Sequence, residues 1–187
     1  GNIVASVDFR DTGGWPAGAD GLGASLELVD LFGDPDVPAN WRASQTVGGT
    51  PGTANAVPAT PPVQIHEVLS VNAGAVNNGG TFPGYVELFN PGATSFNVGG
   101  WSLTDDGNSR KFVLVGGTQI PAGGYLVVWL DAVTNTSPGL HAGFSLGPKG
   151  GHVLLYNDAG GLADALSLGL QVANHSVGRL TGNWLLN

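Results

Sequence analysis

Turn-forming residues interrupt this chain so often that an amphipathic helix has no room to form. No window of twelve or more residues carries an i, i+3, i+4 apolar repeat free of Gly and Pro. Short apolar runs and alternations stand between the breaks instead. They fall at 2–9 "NIVASVDF", 24–30 "ASLELVD", 63–70 "VQIHEVLS", 84–90 "GYVELFN", 94–98 "TSFNV", 101–104 "WSLT", 111–115 "KFVLV", 124–130 "GYLVVWL", 152–157 "HVLLYN" and 162–168 "LADALSL". Each is bounded by Gly, Pro, Asn or Asp, the residues that suit tight turns. Strands at this spacing pack as a sandwich or a barrel, so the predicted fold class is all-β. In "VELFNPG" (86–92), Val86 and Leu88 alternate with Glu87 and Phe89, as in a strand with two distinct faces. Asn90-Pro91-Gly92 then turns the chain, and Asn90 is expected to bond local backbone groups.

Glycine at 32 and proline at 12 of 187 residues approach low-complexity levels, but 42% of the chain is hydrophobic and Trp, Phe and Tyr occur throughout. That composition describes a folded, turn-rich chain. Charged residues make up 11% and the net charge is −8, with two lysines and four arginines that do not cluster. Phosphate backbones and anionic lipid surfaces are recognised by clustered cations, so neither nucleic acid nor an anionic membrane is an expected partner. With no cysteine, a disulfide framework, a thiolate metal site and a cysteine nucleophile are excluded. No apolar run reaches membrane-spanning length, so membrane insertion is not expected. The chain holds no methionine and reads as a piece of a longer polypeptide.

Residues 47–62, "VGGTPGTANAVPATPP", hold four prolines, three glycines and no charge, and read as an extended linker. They divide the chain into 1–46 and 63–187. The second part suits one sandwich, whereas the first is too short to bury a core alone. An internal echo accounts for the first part. "GNIVASVDF" (1–9) matches "GGLADALSL" (160–168) in pattern, "GASLELV" (23–29) lies where "NHSVGRL" (174–180) lies, and Trp41 answers to Trp184.

At "YVELFNPG" (85–92), "VGGWSLTDD" (98–106) and "IPAGGYLVVW" (120–129), the sequence resembles the lamin tail domain family in its bacterial secreted form. "IHEVLSVN" (65–72), "FSLGPKGGHVLLYNDAG" (144–160) and "NHSVGR" (174–179) fit the same pattern in the same order. The resemblance covers roughly 63–187 as one near-complete copy. Residues 1–56, with "VDFRDTGGWP" (7–16), "ADGLGASLELVD" (19–30), "NWRAS" (40–44) and "GGTPGTAN" (48–55), resemble the C-terminal part of another copy. The second copy departs from the pattern at its end, where it lacks a TPG-x-x-N closing segment. The resemblance implies an immunoglobulin-like β-sandwich in a tandem array. It also implies a non-catalytic module of a larger exported protein, extracellular or at the cell surface, for adhesion, anchoring or assembly. A protein or a surface glycan is the implied partner.

Few residues point to chemistry. Glu67 and Glu87 are able to sit on neighbouring strands, and a spaced carboxylate pair is how glycosidases work, but no further acid–base apparatus accompanies them. "TDDGN" (104–108) gathers Asp105 and Asp106 at a glycine turn, and "DLFGDPD" (30–36) gathers Asp34 and Asp36. These are the weak calcium candidates, since calcium takes several oxygens from a flexible loop, yet both lack a distal bidentate Glu. The four histidines (66, 141, 152, 175) show no ligand spacing, and no G-x-S-x-G or phosphate-loop pattern occurs. No catalytic residue or obligatory cofactor is expected. Trp101 and Trp129 alternate with apolar strand residues and are assigned to the core. Trp15, in "GGWPAG", is expected in a loop, where an exposed ring would serve carbohydrate or protein recognition. Incomplete copies also leave open sheet edges, so exchange of strands between chains is a further expectation.

Overall fold

The computed structural model describes residues 6–10, 14–28, 34–55, 61–106, 108–132, 137–180 and 183–186. Fourteen strands and two single-turn 3₁₀ segments form the described fold. The strands are β1 (Ala24–Leu28), β2 (Trp41–Val47), β3 (Gln64–Leu69), β4 (Gly84–Phe89), β5 (Phe96–Asn97), β6 (Ser102–Thr104), β7 (Phe112–Val113), β8 (Gln119–Ile120), β9 (Tyr125–Leu130), β10 (Leu140–His141), β11 (Gly151–Tyr156), β12 (Leu162–Leu168), β13 (Val177–Leu180) and β14 (Asn183–Leu186).

A six-stranded sheet in the order β10-β9-β4-β3-β13-β14 faces a four-stranded sheet in the order β12-β11-β6-β7. The short pair β5-β8 and the hairpin β1-β2 complete the structure. The period-2 alternation read in "YVELF" is what seals the interface. Val86 and Leu88 are fully buried, while Tyr85, Glu87 and Phe89 stay half-exposed on the opposite face. Ile65, Val68 and Val128 join them from the six-stranded sheet, against Leu103, Val153 and Leu155 from the other. Burying each such aliphatic side chain contributes about 1.5–3 kcal/mol. Asp164 of β12 ties the sheets at one edge: the Ile65 N–H donates to its Oδ2 at 2.9 Å and Arg179 Nη2 to its Oδ1 at 3.0 Å. Burial raises the Asp164 carboxyl above the ordinary aspartate range, against the pull of Arg179 in the other direction.

The run "HVLLY" is apolar at consecutive positions because β11 is covered on both faces. Val153 and Leu155 enter the sandwich core. Leu154 and Tyr156 point outward and are buried beneath Ala17, with Leu22, Leu162 and Ala165 around them. The N-terminal segment thus caps the outer side of the four-stranded sheet. Gly18 makes the approach possible: a Cβ there would lie 2.7 Å from Leu162 Cδ2 and 2.9 Å from Ala43 Cβ.

Expected strands at 63–70, 84–90, 101–104, 124–130, 152–157 and 162–168 are present to within two residues at either end. Those at 94–98 and 111–115 shorten to two residues each. The strand expected at 24–30 is seen at Ala24–Leu28, and its last two residues lie outside the described ones. No strand forms over residues 6–10, and the rest of the strand expected at 2–9 lies outside the described residues. The strand aligned with 2–9 by the internal echo, β12, is held by β11 over its whole length. Among the described residues, no such neighbour pairs with 6–10. The sequence pattern does not point to strands β2, β8, β10, β13 and β14, which the structure adds. Of residues 47–62, Val47 ends β2 and the Gly48 N–H donates to Gly23 O at 2.7 Å, so the linker's start closes the first hairpin. Residues 56–60 lie outside the described ones.

Candidate functional site

The outer face of the six-stranded sheet carries the main concentration of chemically active side chains. A bulge in β3 creates it. Ile65 pairs with Leu88 and Glu67 with Glu87, so His66 and Glu67 together oppose one residue of β4. Such a bulge turns two successive side chains toward one face. His66, Glu67 and Glu87 accordingly bring one ligand atom each to within 4.8 Å of one another. They are the one such group of three His, Asp or Glu among the described residues, and would offer a cation one nitrogen and two carboxylates.

Two carboxylates directly opposite on adjacent strands repel each other. The surrounding groups offset that repulsion. His66 Nδ1 lies 2.9 Å from Glu87 Oε1. Ser176, just before β13, donates its hydroxyl to Glu67 Oε1. Tyr85 also bonds Glu67. Burial first, then the Glu67 charge and that hydrogen bond, hold its hydroxyl protonated well above the ordinary tyrosine range.

Aromatic rings flank the carboxylates on both sides along the strands. Phe89 stacks on Tyr125 with centroids 4.8 Å apart, and His66 meets both rings, at 5.5 and 5.0 Å. Two residues away in the other direction, Tyr85 meets Trp129 edge-to-face at 5.9 Å. The register explains the rows: Phe89 faces Tyr125, Glu87 faces Val127 and Tyr85 faces Trp129. Tyr125 is 50% exposed. His66 and Glu87 keep 31% and 20% of their side-chain surface exposed, and Glu67, Tyr85, Phe89 and Trp129 are half-buried, so the face is partly open to solvent.

The residues singled out in the sequence fall elsewhere or in other roles. Trp15 is not an exposed loop ring. It is 6% exposed, wedged between Phe9 and Trp41 with centroid distances of 6.3 and 6.2 Å. Its apolar body serves to dock the N-terminal segment. Trp101 does enter the core, but Trp129 sits on the outer face, because it shares the parity of Tyr125 and not that of Val128. Asp105 and Asp106 converge on Lys111 Nζ, at 2.5 and 2.8 Å. The Lys111 contact, followed by the Asn108 N–H, holds the Asp106 carboxyl down at about 2. Asp34 accepts the Asp36 N–H and Asp36 accepts the Asp8 N–H, both at 2.9 Å, so on this exposed surface Asp34 shapes its own turn and Asp36 tethers the segment around Asp8. Of the other histidines, His141 binds Asp131 at 2.6 Å, His152 stands 3.6 Å from Asp20, and His175 bonds the Ala173 carbonyl.

Asn90 gives "VELFNPG" its structural meaning. Its side chain is 1% exposed. Its Nδ2 donates to the carbonyls of Thr94, Ile120 and Pro121 at 2.8, 2.9 and 3.0 Å, and its Oδ1 accepts the Gly92 N–H at 2.9 Å. The motif therefore closes one end of the sandwich.

A groove with a cavity volume of about 320 Å³ runs between the first hairpin and β12, bounded by Trp15, Trp41, Arg42, Asp164 and Ser167.

Comparison with known protein families matches residues 56–169 to the lamin tail domain. No curated protein matches the chain. The family match covers more than half of the 187 residues, so the chain belongs to the lamin tail domain family. Its fold is that family's immunoglobulin-like β-sandwich, and membership points to a non-catalytic interaction module.

Proposed function

We propose that this lamin tail protein is a non-catalytic interaction module of a larger exported protein. It works in adhesion, anchoring or assembly through the outer face of the six-stranded sheet. Its partner is a protein surface that presents Lys or Arg side chains. One observation carries this reading: Glu67 and Glu87 lie side by side between two aromatic pairs on a face whose side chains stay partly exposed.

Aromatic faces attract ammonium and guanidinium groups, by about 0.5–1 kcal/mol at exposed sites. Neighbouring carboxylates add directional charge, and a basic side chain between Glu67 and Glu87 would relieve their mutual repulsion. The net charge of −8 steers a basic partner toward the chain. Single contacts of this strength give modest affinity, and an array of copies raises it through multivalency. Low charge, abundant Gly, Asn and Thr, and absent cysteine accord with export and a bacterial surface setting.

The test is calorimetric titration of the full chain with an oligolysine peptide, beside the variant carrying both Glu67→Gln and Glu87→Gln. The reading expects salt-sensitive binding that the double variant loses while its unfolding transition is kept. Equal binding by both proteins, or binding only to neutral oligosaccharides in a glycan panel, would refute it. Antibody labelling of intact producing cells checks export: signal only after lysis would contradict that part.

A further inference from the structure

Two hairpins in this chain share one register. In β13–β14, Val177 faces Leu186, Gly178 faces Leu185 and Arg179 faces Trp184. In β1–β2, Leu26 faces Ala43, Glu27 faces Arg42 and Leu28 faces Trp41. Laying Ser25 on Ser176 and Asn40-Trp41 on Asn183-Trp184 superimposes all three pairs. A slip of one residue would turn every side chain to the opposite face. The sequence anchors on the two strands thus place both hairpins at one and the same pairing offset, which marks the same structural unit. The loops differ, with twelve residues between β1 and β2 and two between β13 and β14, as exposed connections tolerate.

The two units differ in what lies beside them. β13 uses its second edge to hold the opening strand of the sandwich: Val177 pairs with Val68 and Gly178 with Glu67. β1 belongs to a two-stranded sheet, and its second edge carries no strand among the described residues. This chain's own opening strand is not free to serve it, because β3 is already flanked by β4 and β13. A bare edge is a row of unpaired N–H and C=O groups, which an extended segment satisfies by strand addition.

We propose that β1–β2 is the closing hairpin of a further lamin tail sandwich, and that the open edge of β1 takes that sandwich's opening strand. The occupant is an extended segment of the β3 type, antiparallel to β1, seated against Leu26 and Glu27 as Val68 and Glu67 are seated against Val177 and Gly178. Ser25 stands where Ser176 stands. Glu27 replaces Gly178, and its carboxylate is buried against Arg42 Nε at 3.0 Å. An incoming glutamate at the Glu67 position would meet that carboxylate, so the matching strand carries an uncharged residue there. This inference stands apart from the choice of the outer sheet face as the working surface.

The experiment titrates the full chain with a synthetic peptide of residues 63–72, in its native form and as Glu67→Gln, with a scrambled peptide as reference. Amide resonances and their hydrogen exchange are followed. The expected result is saturable binding that slows exchange at Ala24–Leu28, several-fold tighter for the Gln form, with Val177–Leu180 unchanged. No saturable binding of either peptide up to millimolar concentration, equal binding of the scrambled peptide, or changes at β13 instead of β1 would overturn the proposal.

Discussion

Replacing Asn90 by aspartate is an almost isosteric change, yet it should be among the most damaging single substitutions in this chain. The amide NH₂ has two hydrogens, shared among the carbonyls of Thr94, Ile120 and Pro121. A carboxylate in its place has none, and would present negative charge to three carbonyl oxygens in a site 1% exposed. Leaving buried hydrogen-bonding groups without partners costs about 1–3 kcal/mol each. Asn90→Ala, which removes the donors and the acceptor for Gly92 together, should therefore cost about 3 kcal/mol. Asn90→Asp should cost more at neutral pH, because burial of an unpaired charge is added. For a domain of this size, about 3 kcal/mol corresponds to a Tm lower by roughly 6–12 °C. Urea unfolding of wild type and both variants at pH 7 and at pH 4 is the assay. In acid the aspartate regains a proton and one donor, so the gap between wild type and Asn90→Asp should narrow while that for Asn90→Ala stays constant. If Asn90→Asp unfolds within about 0.5 kcal/mol of wild type at pH 7, the span expected for a neutral surface change, the donor role assigned to Nδ2 is wrong.

Three further expectations follow from other parts of the fold. Gly18→Val forces a side chain into the 2.7 Å gap to Leu162 and should cost about 1–3 kcal/mol, read by thermal unfolding. A neutral outcome would mean that the N-terminal segment is not docked on β12. The Asp106 carboxyl should titrate at about 2 by carbon-detected NMR and return toward the ordinary aspartate range in Lys111→Ala. Its folded value is depressed, so its contribution is complete above the unfolded value near 3.8 and is lost as pH falls toward 2. Tyr85 should stay protonated above the ordinary tyrosine range in an ultraviolet pH titration, and Glu67→Gln should bring its ionisation down. An unchanged Tyr85 titration would break the link drawn between these two side chains.

How far the fold was legible depended on what each strand packs against. Tyr85–Phe89 could be read directly, since one face is buried and the other is not. Gly151–Tyr156 could be seen as a strand, but nothing local told that Leu154 is covered by Ala17, from a segment more than a hundred residues away. Trp41–Val47, with Arg42, Gln45 and Thr46, was missed because a hairpin strand exposed at its end lacks a clean apolar alternation. Val177–Leu180 was missed because Gly178 and Arg179 break the pattern, and its place is set by pairing with Val68 and Glu67. The candidate site was half legible. The sequence places Glu67 and Glu87 on strands that could be neighbours, but their direct opposition and the bulge that adds His66 to them depend on pairing across strands. Trp129 was assigned to the core by hydrophobicity, although its parity with Tyr125 already placed it outside. Trp15 looked exposed because its "GGWPAG" surroundings are loop-like, and its burial depends on partners distant in sequence.

The central claim is that the outer face of the six-stranded sheet is where a basic partner binds, and an amide-shift map of the full chain with oligolysine tests it most directly. The account predicts that the largest changes cluster at His66, Glu67, Tyr85–Phe89 and Tyr125–Trp129, with His66 ring resonances moving in step. Changes concentrated at the Trp15–Trp41 groove or at the Asp105–Asp106 turn, with this face silent, would contradict it.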